Sequence, residues 1–395
     1  MTGRTLRVAM IGDRGIPARY SGFSTLVEEV STRLVADHGF DVTVYCRSQY
    51  FDTHPAHHEG VRLEYLHAPG GKSFESLLHS ARAILHAARS RYDVVFVVDP
   101  GNGPLTLPLM WSRTPFAIHT DGKGWQRSKW GRLQRGYYKW SERISARLAN
   151  WLVADSPSMQ LYYEEEYGAG SSYIPYGSRV GNEPDVRILN EFGLRPGGYH
   201  LAVARLEPEN NVDLLIREHR QSRARLPLVY VGAARYESEH SRAVMAESDE
   251  RVQCIGAVYD SGRLNALYAH CRSYLHGHEV GGTNPSLLRA MGAGAACVPI
   301  DVIYHREAMG EDGVFFRKDK GHLASLIERL EADDALVAKL GGLAGRRAEQ
   351  LYRWDAVAAA YATLLRRLAT RAGRAELARP VYAPGDHLPG SGSAP

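Results

Sequence analysis

The stretch His276-Gly277-His278-Glu279-Val280-Gly281-Gly282-Thr283-Asn284-Pro285-Ser286-Leu287-Leu288-Arg289-Ala290-Met291 sets a glycine-rich turn directly against the start of a helix. Asn284 has the side chain to cap that helix, Pro285 suits the first helical position, and Gly294 is spaced to end it, so the pattern predicts a short helix over Ser286–Ala293. The positive end of the helix then faces Gly281 and Gly282, where no side chain blocks the backbone N–H groups. Such a corner suits an anion, and the diphosphate of a nucleotide is the natural candidate. The plainer alternative is a Gly-Gly turn feeding an ordinary helix.

The rest of the chain has to position that corner. At 395 residues it exceeds one ordinary core and fits two domains. A hydrophobic content of 44% with 23% charged residues excludes a disordered or fibrous protein, and a net charge of +4 does not by itself call for nucleic acid. Cys46, Cys254, Cys271 and Cys297 are widely spaced in apolar runs, against a disulfide framework or a zinc site and for a reducing cytoplasm. No apolar run approaches membrane-spanning length, so membrane contact is expected to be peripheral, on the inner face of the cell membrane.

Short β-branched runs at Leu6–Gly12, Asp41–Cys46, Arg62–His67, Val94–Val98, Pro115–His119 and Trp151–Ala154 alternate with helical patterns, and the alternation restarts after Ile174-Pro175-Tyr176-Gly177 with Leu201–Ala204, Leu228–Gly232, Val252–Ile255, Ser273–His276, Ala296–Ile300 and Val314–Phe316. The expected fold class is α/β, with two doubly wound Rossmann-like domains facing across a cleft. Their expected spans are 1–178 and 179–353, followed by a helix at 354–372 crossing back to the first domain and a disordered tail at 373–395. In open parallel sheets ligands bind beyond the carboxyl ends of the strands, and the glycine-rich turn follows Ser273–His276, where that rule asks for it.

Two further segments stand out. The first strand runs into Gly12-Asp13-Arg14-Gly15-Ile16-Pro17-Ala18-Arg19-Tyr20-Ser21-Gly22-Phe23, a long loop with two arginines and a tyrosine, after which Thr25 and Glu28 have capping-box spacing. It matches neither a dinucleotide fingerprint nor a P-loop. Later, Arg132, Arg135, Lys139, Arg143 and Arg147 recur on one helical face among Trp125, Trp130, Tyr137, Tyr138 and Trp140. That face fits anionic lipid head groups or a phosphate-bearing acceptor, or is simply solvated, with aromatics in the core. No known nucleic-acid module is present.

Together these residues resemble a family, the retaining nucleotide-sugar glycosyltransferases of family 4 with the two-domain GT-B fold, and most closely its bacterial rhamnosyltransferase-like branch. The resemblance rests on Arg14 to Phe23, Asp121-Gly122 with Trp125 and Lys129-Trp130, Ile174 to Gly177, Ala204-Arg205-Leu206-Glu207-Pro208-Glu209-Asn210-Asn211, and the His276–Leu288 stretch, in order over roughly residues 6 to 370.

The resemblance implies that the second domain holds the nucleotide sugar and the first the acceptor. Arg205 would neutralise charge growing on the leaving diphosphate, with Gly15, Asn210, His278, Glu279, Gly281, Gly282, Thr283, Asn284, Ser286 and Arg289 also on the donor. Arg14, Arg19, Tyr20 and Trp125 would meet the acceptor. Asp121 would orient the acceptor hydroxyl or stabilise developing positive charge, with His119 as the alternate. Retaining chemistry of this kind needs no strong general base, and the chain has no Asp-x-Asp clamp, so neither a metal nor another cofactor is expected beyond the nucleotide sugar as co-substrate. The transferred group would be a hexose or deoxyhexose, L-rhamnose from a dTDP donor being one candidate. The acceptor would be a saccharide, a lipid-linked glycan or a natural product. The sequence departs from the family where Asn210 replaces a lysine and Arg289 and Gly281 replace glutamates. Arg289 prompts the alternative of a catalytically impaired homologue acting as a scaffold partner; a nucleotide-sugar epimerase is disfavoured.

Overall fold

The computed structural model describes residues 4–18, 22–69, 74–127, 130–181, 184–232, 239–246 and 248–382. Two units emerge, one formed by Met1–Trp125, Arg132–Tyr176 and Trp354–Pro395, the other by Gln126–Gly131 and Gly177–Arg353. The short piece 126–131 thus groups with the second unit, although it interrupts the first in sequence.

The first unit runs β1 (Arg7–Ile11), α1 (Gly22–Ala36), β2 (Asp41–Arg47), β3 (His57–His58), β4 (Val61–Leu66), α2 (Phe74–Arg89), β5 (Val94–Val98), α3 (Leu107–Trp111), β6 (Phe116–Thr120), α4 (Arg132–Leu148), β7 (Trp151–Ala154), α5 (Pro157–Tyr167) and β8 (Ser171–Tyr173). Its sheet has the order β3-β4-β2-β1-β5-β6-β7-β8, parallel except for β3 against β4. The central strands are apolar along their whole length because helices cover both faces: β5, Val-Val-Phe-Val-Val, is buried at every position.

The second unit runs α-helix and strand in the same alternation: β9 (His200–Val203), α6 (Val212–Gln221), β10 (Leu228–Val231), α7 (Glu239–Ala246), β11 (Val252–Cys254), α8 (Ser261–Ala269), β12 (Ser273–His276), α9 (Pro285–Gly292), β13 (Cys297–Pro299), α10 (Ile303–Met309), α11 (His322–Ala332) and α12 (Asp334–Leu351). The sheet is parallel in the order β11-β10-β9-β12-β13. After it, α13 (Trp354–Ala369) belongs to the first unit and packs on α1, with Tyr361 edge-on to Phe96 at 5.2 Å and Arg33 Nε 3.0 Å from Asp355.

In each sheet the strand order reverses once, beside β1 and β5 in the first and beside β9 and β12 in the second. Those reversals leave a crevice at the carboxyl ends of the strands. The loops of interest leave β1 in one case and both β9 and β12 in the other.

Several expectations need correction. Val314–Phe316 is not a strand: only Phe316 bridges to Ile300. The short β3 and β8 have no apolar alternation to announce them. Thr25 and Glu28 do not form a capping box, because α1 already begins at Gly22; Glu28 instead accepts from the Ala18 N–H at 3.0 Å and pairs with His58 at 2.8 Å. The tail does not lose order at residue 373. A short helix, α14 (Arg374–Leu377), follows, Leu377 and Tyr382 are buried, and Tyr382 packs edge-on to Tyr173 of β8 at 5.9 Å. Two apolar anchors outweigh the polar composition there. The expected tail from 383 on lies outside the described residues.

Candidate functional site

In the second unit the predicted helix start is present. The helix α9 begins at Pro285, Asn284 is extended (φ −86°, ψ 122°), and its Oδ1 accepts from the Ser286 N–H at 2.9 Å and from Ser286 Oγ at 2.7 Å. Gly281, at φ +135° with open space where a Cβ would stand, leads into it. Gly282 and Thr283 are buried.

A second loop, from the end of β9, is locked to this one. A Cβ on Gly277 would lie 2.4 Å from the Asn210 carbonyl oxygen, so only glycine permits the approach. Asn211 sits in the left-handed region (φ 50°, ψ 34°), and its Nδ2 donates to the Gly277 carbonyl at 2.8 Å and to Glu279 Oε2 at 3.0 Å, while the Glu279 N–H donates to the Glu209 carbonyl at 3.0 Å. Asn210 is 4% exposed, and its Nδ2 donates to the Arg205 carbonyl at 2.8 Å. Its amide therefore holds the turn that presents the exposed Arg205.

The electrostatics of the corner centre on His278. Its ring stacks on His276 at 4.3 Å, His305 meets His276 edge-on at 4.8 Å, and the buried Nδ1 of His278 and Nε2 of His276 have no hydrogen-bond partner among the described residues. Burial, then His305, Arg205 and Arg127 push the His278 pKa down to about 3, so the imidazole is neutral beside two guanidinium groups. A buried nitrogen with no hydrogen-bond partner among the described residues, beside positive charge, suits an anionic, hydroxyl-bearing ligand.

Beside the lock lies a groove of about 430 Å³ lined by Gln126, Pro208, Glu209, Asn211, Glu279, Val280 and Lys318. Lys318 Nζ is 2.6 Å from Glu279 Oε2. Burial favours the neutral acid, yet the hydrogen bonds from Lys318 and Asn211 hold the Glu279 pKa below its ordinary value. Lys318 escaped sequence reasoning because it lies in the charged run Arg317-Lys318-Asp319-Lys320, with no periodicity tying it to residue 279.

Arg289 donates from Nε to Asn265 Oδ1 at 2.6 Å and from Nη2 to the Ser261 carbonyl at 2.8 Å. Those groups brace α9 against α8.

In the first unit, Gly15 (φ +108°) is demanded by packing, since a Cβ there would run into Cys46. The Arg14 guanidinium lies over Tyr50, 4.5 Å from the ring centre. His119, at the end of β6, is fully buried among Phe23, Phe96 and Tyr176 with neither ring nitrogen hydrogen-bonded to a described residue. Burial lowers its pKa to about 4 against the favourable charge of the nearby Asp121, which is itself half-buried. Trp125 lies in a 3-10 turn, Gly124–Gln126, with Lys139 Nζ 5.4 Å from its ring centre. Arg19, Tyr20 and Lys129 lie outside the described residues. Among the described residues, no group of three or more His, Cys, Asp or Glu is arranged to hold a metal ion, and no helix is long and apolar enough to cross a membrane.

Two parallel-sheet units with a cation-lined loop site in the second define a class of two-domain, Rossmann-like proteins. Residues 21–177 match the glycosyl transferase 4-like domain and residues 198–333 match glycosyl transferases group 1. The fold is similar to that of sucrose-phosphate synthase from Thermosynechococcus elongatus (19% identity, TM-score 0.78, covering 93% of this chain and 100% of that one). It is also similar to Anabaena HepE crystallised with UDP-glucose (14%, 0.70, 89% and 97%) and to a glycosyltransferase from Rickettsia africae (12%, 0.69, 94% and 100%). At these identities the likeness is one of fold. No curated protein matches the chain by sequence. The chain is a glycosyltransferase of the GT-B fold, a 4-like domain followed by a group 1 domain.

Proposed function

We propose that this enzyme transfers a hexose or deoxyhexose from a nucleoside diphosphate to a saccharide, lipid-linked glycan or natural-product acceptor with retention of configuration, in the manner of the rhamnosyltransferase-like branch. The observation that carries the donor half is the neutral His278, its Nδ1 unpaired among the described residues, beside Arg205 and Arg127 at the capped start of α9. HepE, crystallised with UDP and with UDP-glucose, supports a nucleotide-sugar donor by fold analogy.

In this reading the diphosphate rests against Arg205 and the backbone from Gly281 to Asn284, with Thr283 and Ser286 at its rim. Glu279 faces the sugar and Arg289 the nucleoside. As the bond from the anomeric carbon to the phosphate oxygen breaks, charge grows on the diphosphate where the arginine and the helix start already sit. The acceptor hydroxyl attacks from the same face, its oxygen bonds to the anomeric carbon, and its proton passes to the departing phosphate oxygen, so no protein base is consumed. Arg14 and Trp125 are assigned to the acceptor and Asp121 to orienting its hydroxyl, with His119 as the uncharged neighbour of Asp121.

Titration calorimetry with dTDP, UDP and GDP, followed by nucleoside diphosphate release from their hexose and deoxyhexose conjugates, tests the assignment. Binding of one nucleoside diphosphate and its release from the matching sugar nucleotide are expected. Absence of binding for all three would remove the donor reading.

A further inference from the structure

Helix α4 presents a surface that sugar transfer leaves unexplained. With 3.6 residues per turn, Arg132, Arg135, Lys139, Arg143 and Arg147 fall within an arc of about 120° and run about 22 Å along the helix. All five are exposed. Lys139 is 3.6 Å from Glu166, but Arg132, Arg135, Arg143 and Arg147 have no ion-pair partner among the described residues.

The same helix turns apolar side chains outward at the edge of that arc. Leu133 is 91% exposed and Trp140 51%. The opposite side of α4 is spent on packing: Ser141 and Ser145 are buried, Glu142 is buried at the other edge of the arc, and Tyr137 donates its hydroxyl to the Gly101 carbonyl at 2.9 Å in the 3-10 turn Pro100–Thr106 that continues into α3. On α3, Leu107, Met110 and Trp111 are exposed, Trp111 at 81%. Both exposed tryptophans among the described residues, Trp111 and Trp140, are therefore on these two helices.

We infer that α4 docks this enzyme on an anionic lipid bilayer, lying along the surface with its arginines among the phosphate head groups and Trp140 and Leu133 at the head-group boundary. Unpaired arginines are what a negatively charged surface complements. Large exposed apolar side chains at the rim of the cationic row distinguish a bilayer from a soluble polyanion, which offers no apolar layer to receive them. The row also avoids the usual means of neutralising a solvated helix face, acids at i±4, since Glu142 on the same helix is buried instead.

Flotation of the full chain with vesicles of phosphatidylcholine and phosphatidylglycerol, against phosphatidylcholine alone, tests this. Recovery with the anionic vesicles is expected, falling as salt is raised. The triple variant Arg135→Gln, Arg143→Gln, Arg147→Gln should lose about a hundredfold in partitioning, and at least tenfold. Trp140→Ala should lose severalfold while keeping the salt dependence. These side chains are exposed, and an unchanged melting temperature with unchanged nucleoside diphosphate affinity establishes that the variants are folded. Equal recovery on both kinds of vesicle, no flotation at all, or retention on a heparin matrix without vesicle binding would each overturn the inference. None of these results bears on the donor site, which the nucleotide titration reports separately.

Discussion

Both units are built on a sheet whose strand order reverses once, and some of their buried ionisable groups are partnered differently. In the second, positive charge gathers where strands end: Arg205 and Arg127 flank His278, and the acid Glu331 is fully engaged, accepting from the N–H groups of Arg225 and Leu226 at 2.8 and 2.9 Å and facing His200 Nε2 at 3.2 Å. In the first, His119 and Glu142 are buried with an opposite charge nearby, Asp121 and Lys139, but with no ion pair among the described residues. His119 sits in an aromatic cage, and Glu142 on α4 accepts, among the described residues, only from Tyr162 and Tyr167, at 3.0 and 3.1 Å, with no partner there for Oε1. The contrast shows that burial alone does not decide the state of a side chain; the partners supplied by other segments do. Hydroxyl donors leave Glu142 with a pKa raised by burial to about 7. For Glu331 burial also works upward, but His200 and two backbone N–H groups bring it down to about 2.

The largest expected effect follows from Glu142. Its pKa in the folded protein exceeds the ordinary 4.5, so the stability present in full below pH 4.5 is lost as pH rises through 7. Glu142→Gln escapes that loss. It should be more stable than the parent by up to about 3 kcal/mol at pH 8 and no more stable at pH 4. Denaturation midpoints at the two pH values measure this, and an equal or lower midpoint at pH 8 would show that Lys139 offsets the burial of Glu142.

Next comes the anion site. Arg205→Ala should weaken nucleoside diphosphate binding by about 1.5–3 kcal/mol, whereas Arg14→Ala, in the first unit, should leave it within about 0.5 kcal/mol. Calorimetry that found equal losses would erase the proposed division of labour between the units.

Glu331 carries the opposite sign from Glu142. Its depressed pKa supplies stability that is present above 4.5 and is lost as pH falls through 2. Allowing for its partial exposure, Glu331→Gln should cost about 1–2 kcal/mol at pH 7 and nothing at pH 2. A cost independent of pH would mean that shape, not charge, is what the residue contributes.

The smallest expected effect is none: turnover in EDTA should equal turnover with magnesium, because the guanidinium groups and the helix start serve the diphosphate. Dependence on a divalent ion would show that the cation-lined corner is not sufficient.

Much of the second unit was legible in the residues alone. Asn284-Pro285 and Gly281 state a helix start and a left-handed turn within a few positions, and capping and φ preferences act over that range, so α9 and the turn before it lie where the pattern asks. The β-branched runs of the central strands were equally readable, since a strand covered on both faces must be apolar throughout. Tertiary structure alone decided what Asn210, Arg289 and Glu279 do with their side chains. Asn210 turns inward to the Arg205 carbonyl, Arg289 braces α8, and Glu279 is held by Lys318 from 39 residues away. It likewise decided that the segment from 374 to 382 would pack, through Leu377 and Tyr382, and that Val314–Phe316 would supply a single bridge in place of a strand. A residue's type limits the bonds it can make, but which partner it meets depends on loops from different strands arriving at one sheet edge, and no spacing along the chain encodes that encounter.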